Sequence, residues 1–313
     1  MKPVVTLGES MGLFYATSVG SLVHVSDFAL DIGGAEGNVA IALARLDTPV
    51  RWLGRVGTDP IGRRILRELR AEGIEVVGIV DPDAATGIMV KEQRTVDATR
   101  VQYFRSGSAG SRLSPEDLAD ADIANASLLH VTGITPALSA SARTAVFEAI
   151  KIASSEGVPV SFDINHRATL WRENPASVYR ELAAKSDIVF ASDDEARILF
   201  PDAETPLALA HAIAELGPSQ VIIKLGKAGC SAVVDGVEYH RSAILIQAVD
   251  TVGAGDAFVA GYIAELLAGL PVDDRLTTAV TLGAFACLNP GDWAGFPTRN
   301  ELRLLTRSEP VER

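Results

Sequence analysis

The chain has 313 residues, 48% of them hydrophobic, and its 28 basic and 40 acidic side chains give a formal charge of −12. So acidic a chain repels a phosphate backbone, which argues against nucleic acid as a partner; an anionic ligand must be held locally by backbone N–H groups and a few placed Lys or Arg residues. The two cysteines, Cys230 and Cys287, lie in apolar runs without metal-site spacing and read as buried free thiols.

A strand pattern opens at residues 4–8, and an acid follows at Glu9, too early for a signal peptide. No apolar run reaches the roughly 18 residues of a membrane span, so a cytoplasmic protein with no membrane contact is expected. Residues 13–32 show loose alternation (Leu22, Val23, Val25, Phe28, Leu30, Ile32), which predicts strands and turns. From Gly33 onward, helix-period segments at about 36–47, 60–72, 139–156 and 205–216 alternate with apolar runs at 50–56, 128–131, 158–162, 188–190 and 221–224. That rhythm predicts an α/β fold with a mostly parallel sheet covered on both faces. Strand-like pieces at 86–93 and 99–105, joined by polar residues 94–98, interrupt it. With 13–32 they predict a small β-lid, inserted at about 13–32 and 86–106 in a single domain spanning 1–313. The tail at 307–313 is expected to fray.

The most informative segment is Ala248-Val249-Asp250-Thr251-Val252-Gly253-Ala254-Gly255-Asp256-Ala257-Phe258. A β-like stretch at 244–249 runs into a glycine-rich turn, and an Ala-rich helix follows from Ala257 to about Leu267. Gly253 and Gly255 carry no Cβ where a ligand must approach the backbone. The turn aims free N–H groups and a helix dipole outward, a favourable setting for phosphate. Asp256 then sits in the first helical turn. A carboxylate there is commonly a cap, but beside an anion site it is wasteful unless a proton must be taken, as from an attacking hydroxyl. No GxGxxG follows the first strand, and neither GxxxxGK[ST] nor GxSxG occurs, which leaves dinucleotide, P-loop and serine-hydrolase chemistries unsupported.

Asp250-Thr251-x-Gly253-Ala254-Gly255-Asp256 resembles the C-terminal signature of the ribokinase-like (PfkB-type) carbohydrate kinases, and Gly33-Gly34-Ala35-Glu36-Gly37-Asn38 resembles their Gly-Gly signature. The resemblance implies a ribokinase-like three-layer α/β/α sandwich with a β-sheet lid, and ATP-dependent phosphorylation with Mg²⁺. Asp256 would be the catalytic base, and Gly253, Ala254 and Gly255 would cradle the transferring phosphate. Gly33, Gly34 and Asn38 would meet sugar hydroxyls. Ser192-Asp193-Asp194-Glu195 is similar to the family's Asn-x-x-Glu motif with Ser in place of Asn, which implies Glu195 as a Mg²⁺ ligand through water. Nucleotide contacts are implied at Asn165, Ser192, Lys224, Gly226 and Gly229, the last three in Lys224-Leu225-Gly226-Lys227-Ala228-Gly229. Asp250 and Thr251 resemble positions beside a monovalent-cation site, and relatives pair through their lids as homo-oligomers.

Three further runs, 103–111, 133–138 and 163–171, resemble 2-keto-3-deoxygluconate kinases within that family. The substrate they imply is a small sugar acid, phosphorylated to its 6-phosphate. Arg105 and Arg167 are the candidates for its carboxylate, since arginine grips planar carboxylates with two parallel hydrogen bonds. Tyr103 alternates onto the same strand face as Arg105, and Asp292 joins the sugar end. Met89 and His166 depart from tyrosines of those relatives, and Val280 from an adenine-proximal Asn. Fructose, ribose and 5-keto-2-deoxygluconate stay open as substrates, as does a non-catalytic sensor of the same fold.

Overall fold

The computed structural model describes residues 1–95 and 98–305; the tail expected to fray, and the middle of the 94–98 turn, lie outside the described residues. Strand β1 (Val4–Leu7) is buried along its whole length, as a strand covered on both faces must be. A hairpin of β2 (Met11–Ala16) and β3 (Phe28–Gly33) follows, then α1 (Ala35–Arg45), β4 (Val50–Gly57), α2 (Pro60–Ala71) and β5 (Glu75–Asp81). A second hairpin pairs β6 (Ile88–Thr95) with β7 (Ala98–Phe104). Alternation resumes with β8 (Leu128–Thr132), α3 (Thr135–Leu138), α4 (Ala140–Ser155), β9 (Val160–Asp163) and α5 (Ala176–Ala184). It continues through β10 (Ile188–Ser192), α6 (Asp193–Leu199), α7 (Pro206–Ala214) and β11 (Gln220–Lys224). Strands β12 (Cys230–Val234) and β13 (Val237–Arg241) precede α8 (Ala254–Leu267) and α9 (Val272–Ala286).

Among the described residues, nine strands form one sheet in the order β13-β12-β11-β10-β9-β8-β1-β4-β5. Pairing is parallel from β5 through β11, and only the β12–β13 end is antiparallel. Successive residues feed opposite faces, as the two-residue strand period requires. Val4, Leu128, Ile188 and Ile222 join the core under α1, α8 and α9. Val5, Leu129, Val189 and Val221 join the core under α4, α5 and α7. These are the three layers expected from the sequence. Ser139 and Thr205 cap α4 and α7 by accepting from the Ala142 and Ala208 N–H groups, each cap contributing about 1 kcal/mol.

The two hairpins form a separate four-stranded sheet, β3-β2-β6-β7, which is the expected lid. Its inner face carries Met11, Leu13 and Met89, packed together and buried. One expected element is absent: residues 244–249 form no strand. Their apolar alternation has another cause, for Ile244 and Ile246 are half-buried along a cavity wall whereas Leu245 is 94% exposed. Helix α8 also begins three residues earlier than expected, so that Ala254, Gly255 and Asp256 make its first turn. Among the described residues, no helix is long and apolar enough to cross a membrane.

Candidate active site

Strand order reverses around β1, between β4 and β8, and open α/β sheets bind ligands beyond the carboxyl ends of strands at such a point. A cavity of about 660 Å³ lies there, roofed by the small sheet. Glu9 follows β1, Asn165 and Arg167 follow β9, Ser192 ends β10, Lys224 ends β11, and all five line the cavity.

Asp256 stands at its centre, buried. Asn38, in the first turn of α1, donates from Nδ2 to Asp256 Oδ2 at 2.8 Å, and Asn165 Nδ2 donates to Oδ1 at 3.2 Å. Burial raises the Asp256 pKa, while Asn38, Arg167, Lys224 and Asn165 pull the other way. The outcome is a more basic carboxylate, aimed by two neutral amides. The turn beneath it tolerates nothing larger than glycine at Gly253, which has φ of 81° and whose missing Cβ would lie 1.9 Å from the Asp292 carbonyl oxygen. The first-turn N–H groups of α8 have no intrahelical acceptor. A Cβ on Gly255 would lie 3.6 Å from Lys224 Nζ, so the helix start and the ammonium face the same space.

Lys224 Nζ also holds Asp163 at 2.7 and 2.9 Å. Burial alone would lower the Lys224 pKa, but Asp163, Glu195 and Asp256 together raise it. Burial drives Asp163 up to about 7 against the pull of Lys224. Glu195 is pinned by backbone, with Oε1 accepting from His166 N and Oε2 from Ser192 N, both at 2.8 Å. Ser192 accepts in return from Glu195 N, a capping box that starts α6. Gly226 and Gly229 frame a short turn after Lys224 on the same wall. Beyond it the cavity is apolar, lined by Ala243, Ile244, Ile246, Val280, Ala284 and Cys287.

At the opposite end the lid brings its side chains down. Arg105, just past β7, is buried and bound to Glu9: Nε–Oε2 is 2.7 Å and Nη2–Oε2 2.5 Å. Its guanidinium lies 5.7 Å from the Tyr103 ring centroid. Tyr103 in turn lies beside Arg167, which donates to the His166 carbonyl oxygen at 3.0 Å. Among the described residues Arg167 has no carboxylate within ion-pair distance. Asp292 lines the same end, its carboxyl pushed up to about 7 by burial although Lys91 lies 3.6 Å away. Gly34 begins α1 with φ of 153°, and a Cβ there would meet the Glu9 carbonyl oxygen at 2.4 Å.

Most expected site residues therefore converge, with three differences. Gly33 packs behind Met89 and Asp292 rather than on the cavity wall. Arg105, expected as a candidate for a ligand carboxylate, is also bound to Glu9. Asp250 is paired with Lys91 rather than left open to a cation. His166 turns away from the cavity to hydrogen-bond the Tyr179 hydroxyl at 2.9 Å, so its departure from tyrosine leaves the wall unchanged. Glu9, Lys91 and Asp163 were not foreseen. Lys91 was visible as a lone charge in the apolar strand Ile88-Met89-Val90-Lys91, and Asp163 as the acid two residues before Asn165.

Comparison with known proteins agrees with this geometry. The sequence model of the pfkB family carbohydrate kinases matches residues 1–299. A 2-dehydro-3-deoxygluconokinase of Bacillus subtilis is 37% identical over 303 residues, 95% of this chain and 93% of its own length. The crystal structure of a PfkB protein from Polaromonas sp. JS666 superposes with a TM-score of 0.87 at 35% identity, covering 97% of this chain and 99% of its own. A fructokinase double mutant from Vibrio cholerae O395, bound to fructose, ADP and potassium ion, gives a TM-score of 0.85 at 25% identity over 98% of this chain and 99% of its own.

Proposed function

As this chain belongs to the pfkB family of carbohydrate kinases, we propose that it transfers the terminal phosphoryl group of ATP to the 6-hydroxyl of a small sugar acid, 2-keto-3-deoxygluconate or an epimer. The observation that carries this reading is the pairing of a buried carboxylate, Asp256, with the Arg167 guanidinium, which among the described residues has no carboxylate within ion-pair distance, in one cavity. The hydroxyl gives its proton to Asp256 as its oxygen bonds the terminal phosphorus. The bond from that phosphorus to the bridging oxygen breaks, and ADP leaves with the electron pair. Asn38 and Asn165 hold the Asp256 oxygens in place. The N–H groups of 253–256 and Lys224 meet the charge that develops on the transferring group.

Arg167 would hold the sugar carboxylate with Tyr103, and Arg105 would complete the clamp through the donors that Glu9 leaves unused. Gly34 and Asp292 would face the sugar hydroxyls. Nucleotide phosphates would follow the Lys224–Gly229 turn, and the apolar wall at Ile244, Ile246, Val280 and Ala284 suits a base. Among the described residues no three acidic, His or Cys side chains converge as a ready-made metal site, so a divalent ion here would take most of its ligands from water and the nucleotide phosphates. Glu195 and Asp163 would hold Mg²⁺ through water, where it would neutralise polyphosphate charge. The outer face of the small sheet exposes Phe28 and Phe104, which supports pairing of two copies through it. We read the chain as one cytoplasmic kinase unit.

The test is coupled ADP release with ATP and Mg²⁺ over 2-keto-3-deoxygluconate, 2-keto-3-deoxygalactonate, 5-keto-2-deoxygluconate, fructose and ribose. Selective turnover of a sugar acid is expected, with Arg167→Ala raising its KM about tenfold or more and leaving that of ATP nearly unchanged. Turnover of neutral sugars alone would overturn the acid assignment, and equal effects on both substrates would take Arg167 out of the sugar clamp.

A further inference from the structure

Asp250 precedes the catalytic turn by three residues, and the sequence resemblance placed a monovalent cation beside it. The donors around it do not fit a metal ion. The Lys91 ammonium, carried down from β6, pairs with Asp250 Oδ2. The same oxygen accepts from Gly291 N at 3.2 Å, and Oδ1 accepts from Val252 N at 3.2 Å. Both oxygens thus face hydrogen-bond donors, whereas a metal ion needs converging oxygen atoms. Side-chain exposure is 6% for Lys91 and 7% for Asp250, so neither charge is met by bulk water. A second cation in this space would be repelled at close range in a poorly screened setting. Removing the ammonium would instead leave a buried carboxylate without its counter-charge, which is strongly unfavourable.

We propose that the Lys91 side chain takes the place of a monovalent metal cation at Asp250, making this chain independent of potassium. Lys91 is a positioning residue: it lines the cavity, its ion-pair partners are Asp250 and Asp292, and it acts through the backbone on both sides of Gly253. On one side it holds Asp250, whose Oδ1 fixes the Val252 N–H. On the other it lies 3.6 Å from Asp292, whose carbonyl oxygen packs against Gly253. The charge arrives on the lid, so this support exists when the small sheet sits over the cavity. A small cavity of about 30 Å³ borders the pair, leaving room for an ion once the ammonium is gone.

The experiment compares potassium chloride with tetramethylammonium chloride at equal ionic strength, for the wild type, Lys91→Met and Lys91→Arg. Melting of the ligand-free protein reads cation binding and ADP release reads the turn; the first needs no substrate, so it answers even if the kinase reading fails. The wild type should melt at the same temperature in both salts and turn over within about twofold. Lys91→Met should be slower and less stable in tetramethylammonium, with potassium restoring both; a merely structural lysine would show no such rescue. Lys91→Arg should stay indifferent to potassium. A wild type stabilised or accelerated several-fold by potassium would overturn the proposal. So would a folded Lys91→Met that responds alike to the two salts, whatever its activity. If Lys91→Met fails to fold in either salt, the wild-type and Lys91→Arg measurements still decide.

Discussion

Asp256 is oriented by two neutral amides, and among the described residues no ion pair engages it, which suits the base role proposed for it. Asp256→Asn would set a third amide against the Nδ2 groups of Asn38 and Asn165 and remove the proton acceptor. We expect kcat to fall by about 10²–10⁴, with ATP binding retained in equilibrium titration. Retention of wild-type turnover would remove Asp256 from the base role. Because burial raises its pKa, the acid limb of kcat/KM should lie above the ordinary carboxylate range, with activity lost as pH falls through the raised value. Asp292 carries the complementary stability prediction. Its folded value of about 7 lies above the ordinary 3.8, so between these the folded chain holds a proton that the unfolded chain has released. That contribution is full at low pH and disappears as pH rises through about 7. Relative to the wild type, Asp292→Asn should therefore gain on the order of 1–3 kcal/mol between pH 5 and pH 8 in urea unfolding. No gain would mean that Lys91 keeps Asp292 ionised throughout.

At the level of elements, the start of α8 is tightly constrained. Gly253→Ala would put a methyl group 1.9 Å from the Asp292 carbonyl oxygen at a φ of 81°. The cost should exceed the 1–3 kcal/mol or so of left-handed strain alone, and it should read as a lowered melting temperature together with lost turnover. A variant as stable and active as the wild type would show that the turn has another conformation open to it. This turn was legible in the sequence because glycine and a first-turn acid are local signals. So were the strands that end at Lys224 and Ser192, since buried parallel strands read as short apolar runs. Residues 244–249 were not, because alternation along a cavity wall has the same two-residue period as a strand edge. Helices α3, α5, α6 and α9 also went unread; α3 and α6, with four and seven residues, are too short to display a full amphipathic period.

For the whole molecule, the architecture follows from alternation and the identity of the site from two glycine-rich signatures. What local pattern could not supply was pairing. Glu9 meets Arg105 across 96 positions and Lys91 meets Asp250 across 159, and nothing near either residue in sequence announces its partner. Those distances also bear on how the chain acquires activity. The small sheet is assembled from hairpins on either side of β4, α2 and β5, joined by parallel pairing of β2 with β6. That pairing spans too much chain to form until the large sheet has drawn its ends together, and non-local closure is slow. Refolding should therefore pass through a species with the large sheet formed and the roof still open, able to bind nucleotide before it can close over a sugar. Catalytic competence would then lag behind the return of secondary structure, a delay visible by sampling turnover against far-ultraviolet dichroism after dilution from denaturant.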